Sequence, residues 1–408
     1  MKNILYITYD GLTDPLGQSQ ILPYVKELSK AGYSFTILSF EKKDRFALLK
    51  DTIEGLCAVD HISWHPITFH TQPPVIAKIY DRWLMKNTAI RLHQKKQFSL
   101  IHCRSYPGSE VGLYFKKKLD VPFLFDMRGF WADEKVDSGH WNLSNIFYRK
   151  VYTHYKVYEK LFLAYSSHII SLTQVGKEEL IKVYGDTIPS LAEKITVIPT
   201  CADLELFNYH NIQPDQKRAL ADNIGTNNKF VISYSGSVGG WYLIDEMLQF
   251  FKVIKDKIPN AIFLCLTKEP AAVVTQHFKK NGLSNQDVIV TFAQRKDLPL
   301  YLSLSNYSVF FIRNTYSKMS SSPTKYPELM GLGIPVICNS IGDTQKIVLD
   351  TQSGILIDEF NNENYKIALE TMLNTTFDKE QIRAGAQKYF ALSKGVSIYT
   401  SIYNKFVK

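Results

Sequence analysis

The stretch SSPTKYPELMGLGIPV, Ser321 to Val336, carries three structural signals in close succession. A Ser-Pro pair starts a short helix, Gly331 or Gly333 stops it, and a buried strand begins at Pro335. A helix set between strands is one step of an alternating α/β chain, so the flanking sequence is read for the same alternation. Downstream of a polar stretch, Asn208 to Lys229, short apolar and β-branched runs recur: Phe230 to Gly236, Ala261 to Thr267, Val288 to Ala293, Tyr307 to Arg313, Ile334 to Ser340 and Gly354 to Asp358. Helical patterns separate them, which predicts a parallel sheet wrapped by helices.

Upstream of that polar stretch the pattern has already run once. Asn3 to Tyr9, Ser34 to Phe40, Ser99 to Ser105, Pro122 to Met127, His168 to Thr173 and Lys194 to Thr200 read as strands, with helices predicted over Gln20 to Lys30 and Lys177 to Val183. The chain of 408 residues is too long for one ordinary core. We therefore expect two doubly wound Rossmann-like domains, 1–200 and 201–385, and a C-terminal helix over 386–408 that can pack back on the first domain. Such sheets bind ligands at the carboxyl ends of their strands, so two facing each other predict a cleft with one site.

With 45% hydrophobic and 21% charged residues the composition is that of a globular protein. No signal-peptide h-region precedes Asp10 and no run of about 18 apolar residues occurs, so a cytoplasmic location is expected. The five cysteines, Cys57, Cys103, Cys201, Cys265 and Cys338, lie far apart without a C-x-x-C and are expected to be buried small apolar residues. The net charge of +9 favours an anionic partner: phosphate groups, a membrane surface or nucleic acid. The positive charge is dispersed and lacks zinc-finger spacing or an RRM-type aromatic motif, which argues against nucleic acid. No G-x-G-x-x-G follows Asn3 to Tyr9 or Phe230 to Tyr234, which argues against an NAD enzyme.

The helix in Ser321 to Val336 begins with Ser322 and Thr324, and its amides and Lys325 are suited to a diphosphate. Glu328, one turn on, is placed to accept hydrogen bonds from ribose hydroxyls. At this point the sequence resembles glycosyltransferase family 4, retaining enzymes of the GT-B fold whose second domain carries E-x7-E and then a G-x-P-V-I strand. Glu328 matches the second Glu and Gly333-Ile334-Pro335-Val336-Ile337 the strand; Ser320 stands where the first Glu falls. The segment VIPTCADLELF, Val197 to Phe207, is similar to the family's hinge.

In YSGSVGGWYLIDEM, Tyr234 to Met247, relatives carry an Arg and a Lys for the donor phosphates, and Ser237 and Tyr242 stand in those places. Gly236, Gly239 and Gly240 still allow close approach of the backbone. The charge must then come from Lys325, Arg295, Arg313 or Lys318. The resemblance further implies that Gly17, in the loop Asp10 to Gln20, touches donor phosphate or acceptor.

The segment FDMRGFWADEKVDSGHW, Phe125 to Trp141, is similar to the R-D-L-W-P-E loop of family members that build bacterial surface polysaccharides, with Arg128 and Trp131 matching. A carboxylate or His at this strand end is suited to orient or deprotonate an acceptor hydroxyl, which makes Asp126 and Arg128 catalytic candidates together with Glu328. A structural ion pair between Asp126 and Arg128 is the alternative. His102, Arg104, Trp131, Asp133 and Glu134 are acceptor-side candidates.

The resemblance implies transfer of a sugar, with retention, from a UDP- or GDP-linked donor to a glycan or polyprenyl-diphosphate-linked acceptor. No metal and no cofactor are expected, since no D-x-D pair is present. An epimerase of the same fold and a catalytically silent sugar-nucleotide-binding protein are the alternatives. Basic and aromatic residues recur along two helical patterns. From Ala77 to Lys96 they include Lys78, Arg82 and Lys86 beside Ile79, Tyr80 and Trp83; from Ser144 to Tyr165, Tyr148, Tyr152 and Tyr155. Both suit either an anionic membrane surface, hence a peripheral location on the inner face, or an aromatic core face with a basic back.

Overall fold

Strands that are covered by helices on both faces read as unbroken apolar runs, and Ala261–Leu266, with all six residues buried, is such a run. In the computed structural model, which describes residues 2–407, runs of this kind pair into two sheets. They belong to two units, Met1–Pro199 with Leu392–Lys408, and Thr200–Ala391.

The first unit holds β1 (Lys2–Ile7), β2 (Tyr33–Glu41), β3 (Ser63–Thr68), β4 (Leu100–Arg104), β5 (Phe123–Asp126), β6 (His168–Ser171) and β7 (Ile195–Val197). They are ordered β3-β2-β1-β4-β5-β6-β7, and every neighbouring pair is parallel. The second unit holds β8 (Phe230–Ser235), β9 (Ala261–Leu266), β10 (Val288–Thr291), β11 (Tyr307–Phe310), β12 (Val336–Cys338) and β13 (Gly354–Leu356). These run β10-β9-β8-β11-β12-β13, again all parallel. The order reverses between β1 and β4 in one sheet and between β8 and β11 in the other. Each reversal opens a crevice at the carboxyl ends of the strands.

Two features depart from the sequence expectation. β3 is an additional strand; it carries Pro66, lies at the sheet edge, and has no fully buried residue, so its sequence lacks the apolar run that marks the others. The helix expected over Gln20 to Lys30 is present as Leu22–Lys30, and the departure is a further short helix, Pro15–Gln20, before it; Pro23 has no amide to continue that one, so the two stay separate.

The last helix, Leu392–Phe406, belongs to the first unit. Its Tyr399 meets Tyr24 edge-on, and its Tyr403 hydroxyl is 2.6 Å from His102 Nδ1. All five cysteines are buried, and none is in a disulfide. Among the described residues no helix is long and apolar enough to cross a membrane.

Candidate functional site

The crevice of the second unit is built around Lys325, the first residue of the helix Lys325–Gly331. Gly333, at φ +63, ends that helix; a Cβ on Gly331 would stand 2.5 Å from the Phe207 carbonyl, so close packing also demands glycine there. Arg383 fixes the same end by donating to the carbonyls of Gly331, Phe207 and Leu204. With seven residues the helix carries little cumulative dipole, and the charge for an anion rests on the Lys325 side chain itself.

Lys325 is 5% exposed, and its Nζ has no hydrogen-bond partner. The ammonium lies 3.6 Å from the Tyr242 ring centre and 4.3 Å from that of Tyr234. Gly236, at φ +138, makes room for it, since a Cβ there would stand 3.0 Å from Nζ. Ring contacts contribute about 2 kcal/mol to a desolvated cation, whereas burying an unpaired charge costs on the order of several kcal/mol. Burial therefore pushes the Lys325 pKa well below the usual lysine range, with Glu328 opposing it. The charge thus reaches the face of Tyr242 from another element.

Glu328 is also buried, one turn further along the helix, and accepts from Arg295 Nη1 at 2.8 Å. Burial raises its pKa, and the charges of Arg295 and Lys325 offset this only in part. Arg295 stacks over Phe207 at 5.2 Å and so holds the carboxylate in one orientation. The other basic candidates stand apart from this pair: Lys318 Nζ sits 3.7 Å from the Trp241 ring centre and Arg313 is exposed. Ser322 Oγ accepts from the Thr200 amide and its carbonyl from the Thr200 hydroxyl, so its side chain ties the helix start to the hinge segment. Thr324 precedes the helix without a side-chain cap bond, and Ser237 is exposed on the glycine turn. Ser320, in the place of the family's first Glu, is buried and donates to the Ser317 carbonyl.

In the first unit, the strands on either side of the reversal deliver a second cluster. Arg104 ends β4 and Asp126 ends β5, in register as neighbours. His102 Nε2 is 3.4 Å from Asp126 Oδ2, and Nδ1 faces the Tyr403 hydroxyl. Burial holds His102 below its ordinary pKa, so Nδ1 accepts from Tyr403 and the proton on Nε2 points at Asp126. Burial acts to raise Asp126, but Arg128, the His102 hydrogen bond and Arg104 outweigh it, and its carboxyl stays below the usual range. Arg104 Nε donates to Asp10 Oδ2 at 3.3 Å, and Arg128 Nη2 reaches Gln20 Oε1 at 3.4 Å.

Three further candidates lie on a neighbouring helix, Trp131–Asp137. Trp131 packs in an aromatic group with Tyr106, Trp141 and Tyr155. Asp133 is bonded by Tyr152 and Lys156, and Glu134 is partly buried on the same helix. Gly17 is buried: a Cβ there would stand 2.2 Å from the Gly11 carbonyl, so loop packing accounts for the glycine. That loop is held by Glu41, a buried carboxylate accepting from Leu12 N, Thr13 N, Thr13 Oγ1 and Ser39 Oγ. Neither Glu41 nor Tyr403 stands out in the sequence, because each acts on residues distant along the chain.

Two residues of the basic stripe on the helix Pro74–Lys96 are partly buried: Lys78 lies over Phe69, and Arg82 pairs with Glu110 and lies over Tyr155. Lys86, which is exposed, lies over Tyr114. The first turns of the helix expose apolar residues, Val75, Ile76, Ile79, Tyr80 and Trp83, and its last turns expose Arg91, Gln94, Lys95 and Lys96. On the helix Ile146–Tyr165, Tyr155 is buried and Tyr152 bonds Asp133, which makes that aromatic stripe a core face.

Two parallel, doubly wound units, each with buried polar side chains at its strand reversal, define the GT-B class of proteins. The family model described as Glycosyltransferase Family 4 matches residues 19–206, and that described as Glycosyl transferases group 1 matches residues 229–375. With one model matched in each unit, the chain is a family 4-like glycosyltransferase. It is 21% identical over 339 residues to a D-inositol 3-phosphate glycosyltransferase of Segniliparus rotundus, covering 77% of this chain and 70% of that one. Among solved structures it is similar to a glycosyltransferase from Rickettsia africae, with 15% identity, a TM-score of 0.72, and 100% and 98% of the two chains covered. It is similar also to Anabaena HepE in complex with UDP and glucose, with 15% identity, a TM-score of 0.72, and 99% and 100% covered.

Proposed function

We propose that the protein moves a sugar from a UDP- or GDP-linked donor, with retention, to a glycan or lipid-linked oligosaccharide acceptor in the synthesis of bacterial cell-surface polysaccharide. The observation that carries this reading is the buried Lys325 ammonium without a hydrogen-bond partner, beside a carboxylate oriented by Arg295. A diphosphate supplies the missing partner of the cation, and Glu328 accepts from the ribose hydroxyls. The likeness to HepE, whose structure holds UDP and glucose, favours UDP among the nucleotides.

In this reading, Asp126 and Arg128 orient the acceptor hydroxyl. That oxygen bonds to the anomeric carbon on the face the nucleotide leaves, the bond from that carbon to the diphosphate breaks, and the hydroxyl proton passes to the departing phosphate oxygen. Lys325 stabilises the charge that develops there, which is the type of interaction that acts most strongly in the transition state. Protein cations do this work, so transfer runs without an obligatory divalent ion; complete loss of activity in EDTA, restored by magnesium, would contradict it. The exposed apolar face of Pro74–Lys96 favours peripheral attachment to a membrane that presents the acceptor.

The reading is tested by melting the protein with a panel of UDP- and GDP-sugars, since a ligand bound only by the folded state raises apparent stability. We expect one sugar nucleotide to raise the Tm and the Glu328→Ala variant, with its fold intact, to lose the shift. Epimerised or unchanged donor in the presence of acceptor, instead of transferred sugar, would refute it.

A further inference from the structure

The strand ends of the first unit hold three buried polar atoms that have no hydrogen-bond partner: Arg104 Nη1, Asp126 Oδ1 and Arg128 Nε. They belong to three residues that meet at the Asp126 carboxylate: Arg104 Nη1 stands 3.9 Å from Asp126 Oδ2, and a second nitrogen of Arg128, Nη1, stands 3.8 Å from Asp126 Oδ1, both beyond hydrogen-bond length. Two of the three are donors and one is an acceptor. A hydroxyl group has two lone pairs and one proton, so one hydroxyl matches the set in its number of donors and acceptors. A water molecule has the same capacity and is what a ligand hydroxyl would displace.

Charge selects further. Arg104 and Arg128 are matched by Asp10 and Asp126, and His102 is held neutral by burial. A phosphate at this place would gain two guanidiniums but would face Asp126 Oδ1 with no proton to offer, beside a second carboxylate. An uncharged sugar meets no such repulsion. The backbone supports the same assignment: Arg128 stands at φ +58 and Ser105, next to Arg104, at φ +62, conformations that cost a non-glycine residue about 1 kcal/mol or more. Asp10 is the exposed member of the cluster: its side chain is 45% exposed and its bond to Arg104 is long, at 3.3 Å.

We propose that Arg104, Asp126 and Arg128 together bind one hydroxyl of an uncharged sugar, and that the reacting end of the acceptor is such a sugar and not a phosphate or sugar phosphate. The proposal rests on the glycosyltransferase reading for the word acceptor, while the binding itself stands on the cluster alone. Saturation-transfer NMR on the full chain tests it with methyl α-glucoside, α-galactoside and α-mannoside as neutral probes and with glucose 6-phosphate and inositol 3-phosphate as anionic ones.

We expect at least one neutral glycoside to bind, to lose about tenfold or more in affinity when one of its hydroxyls is replaced by hydrogen, and to be lost in Asp126→Asn. Arg128→Gln, at a less buried position, should weaken it as well, with thermal melting to confirm the fold of each variant; Lys325→Ala should leave it intact. Preferential binding of the sugar phosphates, binding unchanged in both variants, or no glycoside bound at all would each overturn the proposal. Sugar-nucleotide binding measured on the same samples keeps the two readings apart. A donor that binds and is transferred only to phosphorylated acceptors leaves the glycosyltransferase reading standing and removes this one.

Discussion

The two strand reversals are built alike in backbone and differ in charge. At β8 and β11 a single buried ammonium lacks a hydrogen-bonding partner, next to a glutamate already paired with arginine. At β1, β4 and β5 two arginines and two aspartates balance each other around a neutral histidine. The same fold thus carries one crevice suited to an anion and one suited to a neutral polar group. The difference lies in a few side chains at strand ends, which is where open α/β sheets are free to vary.

The contrast breaks most severely if Lys325 is removed. Lys325→Ala should lower kcat/KM about a thousandfold in steady-state transfer assays, as the loss of a main charge-stabilising group does. Adding Tyr242→Lys to that variant should recover part of the loss, because the ammonium sits against the Tyr242 ring; no recovery would mean that the position of the charge matters beyond its presence. Asp126→Asn should lower kcat about a hundredfold and leave the donor KM unchanged, separating the two crevices kinetically. A raised donor KM in that variant would show that they are not independent.

Smaller effects sharpen the comparison. Arg295→Ala should raise the donor KM about tenfold with a lesser change in kcat, since it frees Glu328 to turn without removing it. Tyr403→Phe should lower kcat only a few-fold, roughly 1 kcal/mol for one hydrogen bond to His102. Last is a proton. Burial depresses the Lys325 pKa in the free protein and a bound diphosphate favours the ammonium, so the pKa rises on binding and a proton is taken up. Donor affinity should then fall as pH rises from the depressed value towards the ordinary lysine range. Calorimetry in buffers of different ionisation enthalpy should detect the uptake in the native protein and not in Lys325→Arg.

Much of the fold was legible because parallel strands are continuous apolar runs, and β8 to β13 each coincide with one. β3 was not, since an edge strand with Pro66 has no such run. In the second unit the closeness of Lys325 and Glu328 was legible because both lie on one short helix a turn apart. That Lys325 lacks a partner depends on Tyr234, Tyr242 and Gly236, which only folding brings round it. Of four basic candidates, geometry joins Arg295 to Glu328 and sets Arg313 at the surface. The ring contacts of Lys78, Arg82 and Lys86 were hidden for the same reason: periodicity gives a stripe but not the rings it lies on.

The bond between His102 and Tyr403 joins residues 301 positions apart, across the whole of the second unit's sequence. On the ribosome all seven strands β1 to β7 emerge before the second unit, yet the histidine that orients Asp126 meets Tyr403 only when the helix Leu392–Phe406 has been made. The unit translated first is therefore the one completed last.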